Sequence, residues 1–184
     1  MVSGQAIVHD RAATEKAAAA PMTEAEFEAF YRRTSRPLWA YVVRITGDPA
    51  TADDVVQKAF YHFLRAKRNT TNEAQLRAYV FKIATNLTFD HFRQKKRESG
   101  ERIEDERGFM PAHDLRHDVQ NVFAKLKPRE RALLWMAHVE EIEHHEIATA
   151  LGVGAKSVKV LLFRARKKLA ELLHAKGLGP EVTR

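Results

Sequence analysis

Over residues 23–97 and 118–173 apolar side chains recur every three or four residues, and over no stretch do they alternate as a half-buried strand would require. A chain patterned this way buries its apolar surface only by packing helix on helix, so the expected fold class is all-α. Residues 98–117 interrupt the pattern with Gly100, Gly108, Pro111 and many charges and no period of either kind, which predicts a flexible linker. The expected organisation is a disordered tail over 1–22, a three-helix domain over 23–97, the linker, a four-helix domain over 118–173 and a tail over 174–184. At 184 residues the chain is long enough for two small domains, each with a modest core.

Local signals place the helices. Thr23 reads as an N-cap and Glu26 completes a capping box. Phe27, Phe30, Tyr31, Leu38, Tyr41, Val42 and Ile45 then share one face, with Pro37 expected to kink or break the element and Gly47-Asp48-Pro49 to end it. A second helix, Ala50 to Lys67, sets Ala52, Val55, Val56, Ala59, Phe60 and Phe63 on one side. After a polar loop, Arg68 to Asn72, a third helix from Glu73 to Arg97 carries Leu76, Val80, Ile83, Ala84 and Leu87 as its buried stripe. The second domain reads as helices over Val119–Leu126, Pro128–Val139, Ile142–Leu151 and Ala155–Leu173, with Pro128 in the favoured first turn and Gly152-Val153-Gly154 between the last two.

The formal charge of +7 is unevenly distributed. Residues 65–97 are strongly basic, 98–118 are acidic, and a second basic block culminates in Lys156 to Lys168. Two cationic blocks around an acidic spacer suggest a polyanionic partner held at two places. The absence of cysteine excludes disulfides, cysteine-ligated zinc and thiol nucleophiles. No apolar run approaches the roughly 20 residues that span a bilayer, and the start lacks a basic region followed by an apolar one. No membrane insertion is therefore expected, and the expected location is the cytoplasm.

The stretch Glu146 to Arg164 has the composition of a helix-turn-helix. Ala148 allows two helices to cross closely, Gly152 can take the left-handed turn, and Ile147, Leu151, Val153, Val158 and Leu161 or Leu162 can fill the crevice. Val158, Leu162, Ala165 and Leu169 keep the second helix packed. Lys156, Ser157, Lys159, Val160, Phe163, Arg164, Arg166 and Lys167 are then the candidate DNA-binding residues, cations on phosphates and Lys159, Val160 and Phe163 near base edges or thymine methyls. In the first domain Asn86, Asp90, Arg93 and Arg97 fall at steps that put them on one face opposite the buried stripe. With Lys95 and Lys96 they suit a single strand, while Tyr79, Asn86 and the loop containing Arg68 and Asn69 can form a pocket for an unstacked base.

Three segments, in order, carry a resemblance. Gly47-Asp48-Pro49 followed by Ala52-Asp53-Asp54-Val55-Val56-Gln57-Lys58-Ala59-Phe60 resembles the core-binding segment of region 2 in extracytoplasmic-function sigma factors of the sigma-70 family. Leu76 to Arg93 resembles the promoter-melting and minus-10 helix of that group. Leu126-Lys127-Pro128-Arg129-Glu130-Arg131 and the hairpin through Leu169 resemble region 4. The resemblance implies a bacterial initiation factor that binds core RNA polymerase and promoter DNA and catalyses nothing itself. It implies that Asp53, Asp54, Gln57 and Lys58 contact the clamp helices, with the flap of the large subunits a further contact. Tyr79, Lys82, Asn86, Asp90, Arg93, Lys96, Arg97, Arg68 and Asn69 would serve the opened minus-10 strand, and the second domain the minus-35 duplex. An anti-sigma factor is an expected partner, with the acidic linker a natural place for it to wrap. Relatives often carry Ser and Arg where Val160 and Leu161 stand, so the upstream element read here is expected to be unusual.

Other constellations are set aside. His138, Glu141, Glu143, His144, His145 and Glu146 cluster in sequence, but adjacent histidines point about 100° apart on a helix, so neither a metal nor another cofactor is expected. No glycine-rich phosphate loop or Ser-His-Asp order appears. Two alternatives remain: a sigma-like protein that sequesters an anti-sigma factor, and a conventional helix-turn-helix regulator with an unrelated sensing domain.

Overall fold

The computed structural model describes residues 22–66, 70–99 and 115–178. Among them are seven helices, α1 (Glu24–Thr46), α2 (Pro49–Arg65), α3 (Glu73–Ser99), α4 (Leu115–Ala124), α5 (Pro128–His138), α6 (His144–Leu151) and α7 (Ala155–His174), and no strand. The expected all-α class is thus the observed one.

Caps set the helix ends. The Thr23 hydroxyl accepts from the Glu26 N–H at 3.3 Å while the Glu26 carboxylate accepts from the Thr23 N–H at 2.8 Å, satisfying two orphan donors at the start of α1. At its other end Gly47 takes φ 73°, a left-handed conformation that costs glycine little, and its N–H returns to the Val43 carbonyl at 2.7 Å. Asp48 then caps α2 through the N–H groups of Ala50 and Thr51, with Pro49 at the first helical position, where its missing N–H is no loss.

Several expected boundaries are corrected. Pro37 lies inside an unbroken α1, because it removes one backbone hydrogen bond while Thr34, Leu38, Tyr41, Val42 and Ile45 around it are all buried. Tyr31, expected on the buried face, is 42% exposed. α3 runs to Ser99, into the expected linker, with Gln94 donating to Glu98 one turn on at 2.9 Å. α4 starts at Leu115, so Asp118, the expected domain start, sits in its first turn, where an acid favours the helix. The remainder of the linker and most of the two expected tails lie outside the described residues.

Two cores merge into one. Phe30 stacks on Phe63 at 5.0 Å and Tyr31 meets Phe60 edge-on at 4.7 Å between α1 and α2. The buried Tyr41 hydroxyl pairs with that of Thr85 on α3 at 2.6 Å. The second group of helices then packs on the first, α6 against α3 and α5 against α1. Arg131, 2% exposed, spans the joint: one guanidinium nitrogen donates to the Ala124 and Leu126 carbonyls, and the other donates at 2.7 Å to the carbonyl of Ile45. That carbonyl lies in the last turn of α1, where helix carbonyls lack partners within the helix and the macrodipole favours a cation. Glu140, its side chain 2% exposed, accepts from the Trp135 indole at 2.9 Å and pairs with Arg77 of α3. Arg129 lies over the Phe89 ring at 5.6 Å. Packing on both sides explains why Phe81, Thr85 and Thr88 of α3 are buried although they stand outside the expected stripe.

Candidate nucleic-acid interface

Between α6 and α7 the backbone makes the turn that Gly152 predicts. Gly152 has φ 62°, and the Val153 N–H bonds the Ala148 carbonyl at 3.0 Å, so the chain reverses within a few residues. Ile147, Ala148, Leu151, Val158, Leu162 and Ala165 are buried, which fixes the rotation of α7 about its own axis. On the other side of α7, Lys156, Ser157, Lys159, Val160, Phe163, Arg164, Arg166 and Lys167 are all exposed. Val160 and Phe163 are large apolar side chains at 50% and 65% exposure on an otherwise cationic face. Such side chains gain by covering base methyls and sugars while the surrounding cations take phosphates. Lys168 differs, its ammonium held by the Glu130 carboxylate at 2.8 Å.

On α3, Asn86, Asp90, Arg93, Lys96 and Arg97 are exposed, and Tyr79 and Lys82 are half-buried. Asp90 is ion-paired with Arg93 one turn on, which cancels the one negative charge that would repel a phosphate on this face. Tyr79 and Asn86 line one open cleft of about 450 Å³ with His62, Arg65, Ala66, Ile83 and Leu87. His62 and Arg65 come from the end of α2 and were missed, because nothing in helical spacing along α2 indicates which turn of α3 it faces. The basic block that starts at Arg65 was the available signal. Arg68 and Asn69 lie outside the described residues.

The α2 patch is also displayed. Asp53, Asp54, Gln57 and Lys58 are exposed on the side away from the buried Val55, Val56 and Phe60. Asp54 and Lys58 approach at 3.7 Å, a long surface ion pair that contributes little to stability. Asp53 accepts a hydrogen bond from Trp39 of α1 at 2.8 Å.

The three surfaces centre on α7, α3 and α2, the α3 cleft taking His62 and Arg65 from the end of α2, while the contact between the two helix groups is made by α1 and α3 with α5 and α6. His138, His144 and His145 are exposed, and His145 lies beside Glu143 at 3.1 Å and Glu146 at 3.3 Å. Among the described residues no three His, Asp or Glu side chains are grouped to hold a metal ion, and no helix is long and apolar enough to cross a membrane.

Residues 30–98 match the family model for sigma-70 region 2, and residues 116–169 match that for sigma-70 region 4. The chain is 25% identical over 176 residues to the ECF RNA polymerase sigma factor SigE of Mycolicibacterium smegmatis, covering 83% of this chain and 68% of that one. It is 27% identical over 157 residues to the RNA polymerase sigma-E factor of Streptomyces avermitilis, covering 83% and 88%. With the ECF RNA polymerase sigma factor SigL of Mycobacterium tuberculosis it shares 27% identity over 170 residues, covering 87% and 96%. Among solved structures, the sigma factor RpoE of Bartonella quintana, in complex with the anti-sigma factor NepR, shares the fold with a TM-score of 0.67 at 22% identity, covering 86% of this chain and 98% of that one. With both diagnostic regions matched in order, and the helix-turn-helix and exposed α2 patch standing where those regions fall, the chain belongs to the sigma-70 family, in its extracytoplasmic-function group.

Proposed function

We propose that this chain directs core RNA polymerase to a set of promoters by dividing recognition between its two helix groups. The exposed face of α7, with Lys159, Val160 and Phe163 at its centre, enters the major groove of the minus-35 duplex. The α3 face and the cleft containing Tyr79 and Asn86 hold the opened minus-10 strand, and Arg68 and Asn69 contribute to binding it. The α2 patch of Asp53, Asp54, Gln57 and Lys58 docks on the clamp helices, and the second group of helices on the flap. Bond-forming chemistry belongs to the polymerase, and this chain supplies binding and positioning. Its place of action is the cytoplasm, where an anti-sigma factor restrains it. The NepR complex of the similar RpoE supports that last assignment.

The observation that carries this reading is the coincidence, on one all-helical chain, of an exposed cationic α7 behind a Gly152 turn with an aromatic and amide cleft on α3. Each surface suits a different state of DNA: a helix for paired bases, a stacking cleft for unpaired ones. A chain of this length folded as one body is about 40 Å across. Elements about 25 base pairs apart lie roughly 85 Å apart along duplex. Reading both at once therefore requires the Arg131–Ile45 and Arg77–Glu140 contacts to part on the polymerase.

The test is run-off transcription with purified core polymerase on a library of upstream sequences. Discrete start sites dependent on this chain, lost on Lys159→Ala with Phe163→Ala but with polymerase association kept, are expected. No start site in the absence of any inhibitor refutes the proposal.

A further inference from the structure

Of the acidic side chains at the start of α2, Asp53 alone is held by an aromatic donor. Asp48 is consumed by the helix cap, and Asp54 faces only the distant Lys58 ammonium. The Trp39 indole N–H donates to Oδ1 of Asp53 at 2.8 Å from a neighbouring helix. Trp39 is itself half-buried, its ring packed against the core, so the donor is fixed before any partner arrives. A fixed donor on one carboxylate oxygen removes rotamer freedom from an exposed side chain, and leaves Oδ2 with no acceptor role among the described residues. The bond also keeps Asp53 from folding back onto nearby helix groups, as short acidic side chains otherwise do.

We propose that Trp39 is a positioning residue for polymerase binding, orienting the Asp53 carboxylate towards a cationic side chain of the polymerase. The inference rests on the reading of the α2 patch as the polymerase surface. Its physical content is preorganisation: ordering one polar side chain in advance removes that cost from the binding step, and partly buried aromatic groups beside polar ones are the composition of strong contact points. Asp53 lies one turn from Gln57, so the fixed carboxylate extends the exposed patch from α2 to the edge of α1.

The test is a double-mutant cycle on the affinity of the full chain for core polymerase, using Trp39→Phe, Asp53→Ala and the pair, with the labelled chain followed by anisotropy. Trp39→Phe should weaken binding roughly two- to tenfold in the native background and not at all in the Asp53→Ala background. Equal weakening in both backgrounds means that Trp39 acts independently of Asp53 and overturns the proposal. Weakening by Asp53→Ala with none by Trp39→Phe overturns it too, while leaving the patch intact. No effect of Asp53→Ala overturns the proposal, and the patch reading falls with it only if Asp54→Ala with Gln57→Ala also leaves the affinity unchanged.

A second measurement does not depend on how Trp39→Phe folds. The chain has two tryptophans, and the other, Trp135, bonds Glu140. On Asp53→Ala the Trp39 indole N–H resonance should move while that of Trp135 stays. If the Trp39 resonance stays, the hydrogen bond is not formed in solution and the proposal fails.

Discussion

Phe163→Ala and Lys159→Ala should damage promoter binding in two distinguishable ways. Phe163 is 65% exposed on the outer face of α7. A phenylalanine offers on the order of 200 Å², so covering its exposed part by a thymine methyl and sugar removes roughly 130 Å² of apolar surface from water. At about 25 cal/mol per Å² that is at most about 3 kcal/mol, and half coverage gives about 1.5 kcal/mol, or roughly tenfold in affinity. This contribution depends on which base is present and hardly on salt. Lys159 is exposed beside it, one of five such cations on α7 with Lys156, Arg164, Arg166 and Lys167. Removing a single phosphate-neutralising cation reduces the log–log salt slope by about 0.9, so raising salt from about 100 to about 300 mM should weaken the Lys159→Ala variant roughly threefold less than the native chain. The assay is anisotropy of labelled minus-35 duplex with reconstituted holoenzyme, in which the remaining phosphate interactions cancel between variants. Lys168→Ala is the control, since its ammonium already pairs with Glu130, and it should leave the slope unchanged. A slope change for Phe163→Ala, or one for Lys168→Ala as large as for Lys159→Ala, would refute the assignment of the α7 face.

Gly152→Ala meets no atom within 4 Å, so its cost is the left-handed φ of 62° alone, about 1–2 kcal/mol, read as a lower melting temperature with unchanged secondary structure. A loss above about 4 kcal/mol would mean that the turn is crowded. Asp48→Ala should cost about 1 kcal/mol as a lost N-cap. The Thr51 hydroxyl, followed by the Thr51 and Ala50 N–H groups, holds the Asp48 carboxyl below the usual range. That stabilisation is complete above the ordinary carboxylate value near 4 and lost as pH falls through the lower folded value, so the gap between native chain and variant should close below about pH 4 in urea titrations. Arg77→Ala strands the buried Glu140 carboxylate and should cost about 3 kcal/mol in urea unfolding, more than Glu140→Gln, which leaves a neutral group beside the partly exposed Arg77. Equal costs would show that the pair is solvated in solution. Tyr79→Ala and Asn86→Ala should lower open-complex formation, measured by permanganate reactivity, without changing polymerase affinity; normal opening would exclude the cleft as the base site.

Much of the fold was legible because it rests on local rules. The Thr23 box, the Gly47 stop, the Gly152 turn and the buried side of α2 follow from helix period and cap chemistry, which neighbouring residues decide. The α7 face was legible for the same reason: Val158, Leu162 and Ala165 must point inward, so Phe163 and Lys159 must point out. Pro37 does not break α1, because the local rule assigns a lost hydrogen bond its full cost, whereas burial on both sides of the proline keeps the helix continuous. Trp39, His62 and Arg65 went unseen as candidate site residues because each meets the site from a neighbouring helix, and spacing along one helix carries no record of its rotation against the next.

The sequence alone determined the helical class, the turn, the two basic surfaces and, through its motifs, the family. Only the tertiary structure decided that the two helix groups pack on each other, with Arg131 capping α1 and Glu140 buried against Arg77. The reason is physical: periodicity specifies which side of a helix avoids water, while the choice of what covers it depends on shape and on unpaired carbonyls and charges far away in the chain.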